Sequence, residues 1–273
     1  MVRFIGFGIG TFFVLVLLVS ALLPRDPVSP DMAKSLHLYP EGNVAWHQEG
    51  PFGLGVFGTY DRAQLQRGFQ VYKEVCAACH GLKRVAFRDL AGIGFTEPEI
   101  KALAKAVDIP SVDERTGEPT TRKGLPSDRF PSPYPNDIAA RAANNNAIPP
   151  DMSLIIKARH DGLDYTHSLL TGYGKPVPKG WEVGQGLYYN PYFHSVNIAM
   201  PPPLTGEGQV TYADGTKATV NQMSQDVTAF LHWASEPELE RRRQAGLVVF
   251  VFLSVLSVLA YLTYRKVWQD VAH

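Results

Sequence analysis

The stretch Val75-Cys76-Ala77-Ala78-Cys79-His80-Gly81 holds the only two cysteines of this 273-residue chain, and a histidine directly follows the second one. Cys-x-x-Cys-His is the attachment motif of a c-type haem. Two thiols three positions apart lie on nearly one face of a helix, so each can add to a different vinyl group of one porphyrin. The imidazole of His80 is then carried beneath the ring, where it can bind the iron. The motif therefore predicts one covalently bound haem c.

Three other interpretations compete with this one. A structural zinc site needs four protein ligands, usually from two such pairs, and the chain has no second pair of cysteines. A thioredoxin-like dithiol needs a surrounding strand–helix–strand pattern, which the flanking sequence lacks. A chance match is the third, because five-residue patterns recur at random. Both cysteines are used by the motif in a chain that carries an export signal, and we therefore favour haem.

The composition indicates one medium-sized globular domain in addition to membrane segments, large enough for a core that encloses a porphyrin. The chain is 45% hydrophobic and 19% charged, with a formal net charge of zero, which argues against a nucleic-acid partner. Its 24 glycines and 21 prolines predict a loop-rich domain rather than a bundle of long helices.

The N-terminal segment Phe4 to Leu23 is apolar and has no charged residue. Its twenty residues, at about 1.5 Å each, reach roughly 30 Å, which is enough to cross a bilayer. The small residues of Val19-Ser20-Ala21 fit a signal-peptidase site, whereas the length of the run fits a retained anchor. Residues 1–23 are therefore predicted to be a signal peptide or an N-terminal membrane anchor, and residues 24–49, which are polar and broken by prolines, a tether.

The middle of the chain, residues 50–240, is predicted to be a helical haem domain with long loops. Gly50 to Tyr60 is a glycine-rich loop, after which Asp61 caps a helix that runs to about Cys79 and presents the cysteines from its end. Lys83 to Asn136 is rich in proline and glycine and is expected to be largely irregular. Further short helices are expected at residues 96–107, 137–143, 152–160, 163–171 and 222–234, with a loop at 174–203 and a hairpin turn at 212–216.

A second apolar run, Ala245 to Tyr264, has no charge over twenty positions and lies between Arg241-Arg242-Arg243 and Arg265-Lys266. Its length and composition predict a transmembrane helix. The basic clusters do not fix its direction, because a long translocated domain largely ignores that charge rule. Haem attachment of this type takes place on the outer face of the membrane. We therefore expect the haem domain outside and the tail, residues 265–273, in the cytoplasm.

The sixth position of the iron separates an electron carrier from a gas-binding or peroxidatic haem. A thioether there favours ferrous iron and raises the potential. Met200 precedes Pro201-Pro202-Pro203, a proline run that fixes an extended backbone and aims the sulfur, so Met200 is favoured, with packing as its alternative. The other candidates are Met32, Met152 and Met223, and the histidines that could compete are His160, His167, His194 and His232.

In these features the chain resembles the cytochrome c1 family, the haem subunits of ubiquinol–cytochrome c reductase. The resemblance runs from about Gly50 to Trp268 and depends on several separated motifs. These are Leu65–Tyr72, Ala139–Pro150 followed by Asp151-Met152-Ser153-Leu154, Ser168–Tyr173, Gly186–Phe193, the proline run after Met200, Asp226–Trp233 and a terminal membrane helix.

The resemblance implies an all-α, cytochrome c-like fold with long loop insertions plus a C-terminal transmembrane helix. Met200 is implied as the axial ligand opposite His80, Arg159 as the partner of a haem propionate, and Tyr165 as a neighbour of the haem. The pocket wall is implied to consist of Asn144, Ala147, Pro149, Pro150, Ile155, Leu169, Leu170, Phe193, Ile198 and Pro203.

Two features depart from the family pattern. Met152 occupies a position where family members usually carry leucine. This suggests that Met152 is a packing residue, but its thioether is also a second candidate for the iron ligand. Many relatives carry a strongly acidic insertion that docks cytochrome c, whereas Asp108 to Glu118 is only mildly acidic here and includes Arg115.

The implied function is electron transfer within a quinol–cytochrome c oxidoreductase, and the chain is not expected to be an enzyme on its own. It would take electrons from a Rieske iron–sulfur protein and pass them to a soluble or membrane-tethered cytochrome c. Cytochrome b, the lipid bilayer and a dimeric complex are the other implied partners, on the periplasmic side of a bacterial inner membrane. Two alternatives stay open: a tethered c-type cytochrome that serves a terminal oxidase, and a haem-free assembly protein whose cysteine pair shuttles disulfides.

Overall fold

The computed structural model describes residues 2–22 and 58–270 of the chain. The predicted tether at 24–49 and most of the glycine-rich loop before Tyr60 lie outside the described residues. The helices are α1 (Val2–Leu22), α2 (Arg62–Val71, continued by a π-helical turn, Tyr72–Cys76), α3 (Glu97–Lys105), α4 (Asp137–Ala143), α5 (Gly162–Thr171), α6 (Val220–Ser235) and α7 (Leu239–Val267), with 3₁₀ turns at Phe87–Ile93 and Met152–Leu154. The strands are β1 (Asp108–Val112), β2 (Pro119–Lys123), β3 (Tyr188–Tyr189) and β4 (Asn197–Ile198).

Helices dominate this architecture, and the strands form two small antiparallel pairs, β1 with β2 and β3 with β4. The predicted all-α class with a long apolar C-terminal helix is therefore confirmed. The β1–β2 hairpin lies inside the segment predicted to be irregular, and its turn is closed by Gly117 N–H donating to the Asp113 carbonyl at 2.8 Å. Each of its strands contains a proline and most of its side chains are exposed, so the usual strand pattern is weak in the sequence.

Helix α2 begins where the sequence predicts. The Asp61 carboxylate accepts the N–H groups of Ala63 and Gln64 at 2.9 and 3.3 Å, which satisfies backbone donors that the first turn of a helix leaves free. The buried residues Leu65 and Phe69 lie four positions apart and form one face of the helix. This face directs α2, and the cysteines at its end, against the rest of the domain.

The central contact of the domain is the close approach of α2 to α6 at Gly68. A Cβ atom at Gly68 would lie 2.0 Å from the carbonyl oxygen of Asp226 and 2.7 Å from the Cβ of Phe230. The same contact buries aromatic rings from both helices: the centroid of Phe230 lies 5.6 Å from that of Phe69 and 5.7 Å from that of Tyr72. The helices can reach this distance only because position 68 has no side chain.

Arg67 adds a buried ion pair to the same contact. Its guanidinium donates to the two carboxylate oxygens of Asp226 at 3.0 and 3.3 Å and to Asp214 at 2.7 Å. Asp226 is fully buried, and Gln222 donates to it at 2.9 Å. A bidentate arginine–carboxylate pair fixes orientation as well as distance, so this pair sets how α2 lies across α6.

Two predicted elements are wrong. Residues 212–216 form a turn, but in the described part of the chain no strands flank it, because Asp214 turns toward Arg67 on α2 instead of opening a hairpin. The helix predicted at 152–160 is a single 3₁₀ turn. The chain bends sharply after it: Asp161 has φ +47°, and a Cβ at Gly162 would lie 1.8 Å from the carbonyl oxygen of Ile156.

Helix α7 is long and apolar enough to cross a membrane, the one helix among the described residues that meets this criterion. It begins at Leu239, before the predicted span 245–264, and its first turn is docked on the domain. Glu240 accepts from Arg62 and from Tyr60 N–H, while Glu236 pairs with Lys157 and Arg242. Helix α1 carries an apolar stretch, Gly6–Val19, and whether residues 1–23 are cleaved or retained stays a prediction.

Replacing Gly68 by alanine is expected to destabilise the domain by about 3 kcal/mol, since the new methyl group would overlap the α6 backbone. In a domain of this size the loss corresponds to a fall of roughly 6–12 °C in the melting temperature. Circular dichroism of the detergent-solubilised full chain measures it. Gly206→Ala is the matched control, because a Cβ there would meet nothing within 4 Å. Equal melting temperatures for the two variants would contradict the close helix contact.

Candidate haem site

The Cys-x-x-Cys-His motif lies in the turn that ends α2. The N–H groups of Cys79 and His80 both donate to the carbonyl of Cys76, at 3.1 and 2.9 Å, and the Tyr72 hydroxyl donates to the carbonyl of His80 at 3.1 Å. Cys76 is buried, whereas Cys79 and His80 are half-buried. Both cysteines are free thiols. The turn therefore presents two thiols and one imidazole from a single rigid element.

The imidazole of His80 is held by one hydrogen bond. Its Nδ1 lies 2.8 Å from the carbonyl oxygen of Pro150, and because a carbonyl can only accept, Nδ1 carries the proton. Burial lowers the pKa of His80, against the smaller opposing effects of the Pro150 bond and of Asp151, which favours the neutral ring. The lone pair is therefore on Nε2, the state in which an imidazole binds a metal.

The residues after His80 form hydrogen bonds with the residues after Pro150. Met152 N–H donates to the Gly81 carbonyl at 2.8 Å, Lys83 N–H donates to Asp151 Oδ2 at 3.0 Å, and Arg84 N–H donates to Ser153 Oγ at 3.0 Å. We call these two stretches, residues 80–84 and 150–153, the histidine clamp. Together with the His80–Pro150 bond, the clamp fixes the position of the imidazole relative to the loop beside it.

The chemistry of the cysteines does not fit a redox dithiol. Burial, with a smaller effect of Cys79, raises the pKa of the Cys76 thiol to about 12. Dithiols that exchange disulfides depend on a lowered thiol pKa, because the thiolate is the attacking species. A buried thiol beside an exposed edge of the same turn instead fits a covalent anchor. The raised pKa of the buried Cys76 thiol therefore argues against the disulfide-shuttle interpretation.

The donor set fits a porphyrin iron better than a zinc ion. Among the described residues, no three histidine, cysteine or acidic side chains come together as a metal-binding group. Zinc needs three or four such ligands, whereas a porphyrin brings four nitrogens of its own and asks the protein for at most two. His80 can supply one of them. Haem c thus fits the residues present, with Cys76 and Cys79 as its covalent attachment points.

The Met200 segment is fixed by its backbone, with the side chain half-buried. The hydroxyl of Tyr173 donates to the Met200 carbonyl at 2.9 Å, and Ile198, in β4, pairs with Tyr188 in β3. Gln209 donates to the Pro203 carbonyl at 2.9 Å, on the other side of the proline run. The described contacts do not join Met200 to His80 directly, and its role as ligand stays a prediction.

The other candidate ligands differ in their surroundings. Met223 is fully buried in the α2–α6 core, and Met152 packs against that core, while Met32 lies outside the described residues. His160 and His194 are exposed. Nδ1 of His167 lies 2.9 Å from the buried Ser224 hydroxyl, and the ring of His232 packs on Tyr60 with 5.4 Å between centroids. These contacts favour Met200 among the candidate sixth ligands.

The implied wall residues differ in burial, and some of their segments are joined by hydrogen bonds. Leu169 is tied to the loop before Met200, because Asn190 donates to its carbonyl at 2.8 Å and Phe193 N–H donates to Asn190 at 3.1 Å. Asn144 donates to the Ala140 carbonyl at 2.7 Å. Tyr165, Leu170 and Ile198 are buried, Ala147, Pro149, Ile155 and Pro203 are half-buried, and Pro150 is exposed.

Arg159 is exposed, and its guanidinium donates to the carbonyl of its own neighbour Ala158 at 3.1 Å. It makes no ion pair with a described acid, so its guanidinium is available to an external anion such as a propionate.

Sequence reasoning missed the residues that support the ligands. Five polar residues contact the ligand-bearing segments without being ligands themselves: Tyr72, Asp151, Ser153, Tyr173 and Asn190. Several of them belong to the motifs already quoted, but their polar groups act on backbone atoms of distant segments. Such pairings are set by the fold, and the sequence alone carries no signal for them.

Replacing Tyr173 by phenylalanine is expected to cost about 1 kcal/mol, because the Met200 carbonyl would lose its donor. The melting temperature of the purified chain should fall by roughly 2–4 °C. Tyr188→Phe, at a tyrosine that is 41% exposed, is the control and should leave it unchanged. If both variants have the wild-type melting temperature, the Tyr173 hydroxyl does not stabilise the Met200 segment.

Comparison with known proteins gives one consistent result. The family model described as Cytochrome C1 family matches residues 52–271. Cytochrome c1 of Rhodospirillum rubrum is 47% identical over 85% of this chain and 91% of its own length. The mitochondrial cytochrome c1 heme protein of Saccharomyces cerevisiae is 46% identical over 83% of this chain and 72% of its own length. A mitochondrial protein of Candida albicans, named cytochrome b-c1 complex catalytic subunit, is 45% identical over 98% of this chain and 91% of its own length.

Proposed function

The chain belongs to the cytochrome c1 family, and from that premise we propose that it is the haem c-bearing electron-transfer subunit of a cytochrome b-c1 complex. The observation that carries the proposal is the His80 geometry: a neutral imidazole, fixed through Nδ1, on the same turn as two cysteines that form no disulfide. This arrangement would supply one protein ligand to an iron and two covalent attachment points to its porphyrin.

The proposed site uses the residues of three segments. Cys76 and Cys79 would attach the ring, His80 and Met200 would supply the two protein ligands of the iron, and Arg159 would neutralise a propionate. The haem supplies a one-electron couple when bound. The chain's own residues orient the imidazole, keep Nδ1 protonated and exclude water with the half-buried apolar side chains of the pocket wall. The wall comprises Asn144, Ala147, Pro149, Pro150, Ile155, Tyr165, Leu169, Leu170, Phe193, Ile198 and Pro203.

The proposed partners follow from the names of the relatives. A subunit of a cytochrome b-c1 complex assembles with cytochrome b and a Rieske iron–sulfur protein. We propose that electrons pass from the Rieske protein through this haem to a soluble or membrane-tethered cytochrome c, and that the complex is a dimer. In this proposal the chain transfers electrons and catalyses no bond-making or bond-breaking step. Quinol–cytochrome c oxidoreductase activity is therefore proposed for the complex and not for the chain alone.

The proposed placement in the membrane divides the chain into functional segments. The haem domain, residues 50–240, faces the periplasm of a bacterial inner membrane, and residues 245–264 of α7 anchor it. Residues 265–273 form a cytoplasmic tail. Residues 1–23 act as a signal peptide or a second anchor, followed by the tether at 24–49. The apolar, exposed surface of α7 supports the anchor.

Replacing Met200 by leucine is expected to lower the reduction midpoint potential, because loss of the thioether removes a ligand that favours ferrous iron. A spectroelectrochemical titration of the purified chain measures the shift. Met152→Leu is the matched control: it removes the rival thioether from a residue that packs against the core, and the potential should stay unchanged. A shift in the control variant alone would transfer the ligand role to Met152.

The complex itself provides the direct test of the proposed function. Purification of the tagged chain from its own membranes should yield cytochrome b and a Rieske subunit, and a haem-stained denaturing gel should show covalent haem on this chain. Cys79→Ser should remove or strongly weaken that stain. Recovery with a copper oxidase in place of cytochrome b, or an unstained wild-type band, would overturn the proposal.

A further inference from the structure

We propose that Asp151 is a positioning residue for the axial histidine: its carboxylate holds the Pro150 carbonyl against the Nδ1–H of His80 and so sets the donor strength of the imidazole. This inference rests on the proposed function, because it concerns the effect of His80 on a haem iron. Asp151 itself touches neither the iron-binding nitrogen nor the porphyrin attachment thiols.

The two carboxylate oxygens of Asp151 accept hydrogen bonds from different stretches of the histidine clamp. Oδ2 accepts the N–H of Lys83 at 3.0 Å, and Oδ1 accepts the N–H of Ser153 at 3.1 Å. Both partners are backbone donors, so the bonds fix the main chain and not merely a side-chain rotamer. One carboxylate therefore bridges the stretch that follows the ligand and the loop that holds the ligand.

The space around Asp151 shows how closely the clamp is built. A Cβ at Gly81, the residue next to the ligand, would lie 3.1 Å from Asp151 Oδ2, which is tighter than ordinary van der Waals contact. Asp151 is half-buried, and it forms no ion pair with a described cation. Its negative charge is consequently not neutralised beside the turn that carries His80.

These contacts act on the imidazole in a definite direction. A strong Nδ1–H bond to a carbonyl makes the ring more basic toward a metal on Nε2, and a more basic ligand stabilises ferric over ferrous iron. Loosening the clamp should therefore shift the midpoint potential upward. Removing the Asp151 charge acts in the same direction, because a nearby anion also stabilises the ferric state. A test must separate the two effects.

Three variants of the full chain, purified with covalent haem, separate position from charge. Asp151→Asn removes the charge and one of the two acceptor oxygens. Ser153→Ala leaves the charge unchanged but removes the acceptor of Arg84 N–H from a fully buried position in the same clamp. Asp137→Asn removes an equal charge from an exposed aspartate in the first turn of α4, outside the clamp.

The midpoint potential should rise in Asp151→Asn, rise less in Ser153→Ala and stay at the wild-type value in Asp137→Asn. Hydrogen exchange of the peptide that contains Lys83 and Arg84 should be faster in the first two variants. The low-spin g values in the electron paramagnetic resonance spectrum of the ferric protein should shift in the same two, which a role confined to stability would not produce.

Several results would overturn the inference. An unchanged potential in Asp151→Asn, despite faster exchange at Lys83, would make Asp151 structural only. A rise that Asp137→Asn reproduces, or that Ser153→Ala lacks, would assign the effect to charge alone. If Asp151→Asn does not retain haem, Asp151→Glu replaces it: this variant keeps the charge but displaces both acceptor oxygens, so the potential should rise, and an unchanged potential would overturn the inference. A wild-type chain without covalent haem would sink the proposed function instead, so the two failures are distinguishable.

Discussion

The fold depends on the distance between two helices. Because Gly68 has no side chain, α2 lies directly on the backbone of α6, and the Arg67–Asp226 pair fixes the angle at which the helices meet. Everything that α2 carries follows from that contact. The turn at its end holds Cys76, Cys79 and His80, so the geometry of a helix crossing in the core determines the positions of two thiols and an imidazole.

The second constraint is the histidine clamp, which links residues far apart in the sequence. The α2–α6 contact places His80, and the hydrogen bonds between residues 81–84 and 151–153 hold its partner, the Pro150 carbonyl, beside the imidazole. The ring is thereby held in one tautomer with Nε2 available. The α2–α6 contact determines the position of the His80 imidazole, and the loop that carries Pro150 determines its tautomer. Both are needed for a defined ligand.

The sequence predicted the local features of this protein better than the long-range ones. The motif, the Asp61 cap, helix α4 and the apolar C-terminal helix depend on neighbouring residues, and all are found as expected. The β1–β2 hairpin was missed because its prolines and exposed side chains obscure the strand pattern. The turn at 212–216 was misread as a hairpin because Asp214 is used by Arg67, a residue about 150 positions earlier. Asp151 and Tyr173 were likewise invisible as supports, since their partners are backbone atoms of distant loops.

The ionic junction at the start of α7 has a mechanical consequence. Glu240 is bonded to Arg62 at the beginning of α2, and Glu236 joins Lys157 to Arg242, while α7 continues without a break from Leu239 to Val267. No flexible hinge separates the anchor from the globular part along this stretch. Because the helix is continuous from its docked first turn into its apolar part, the domain and this apolar segment are expected to move as one rigid body.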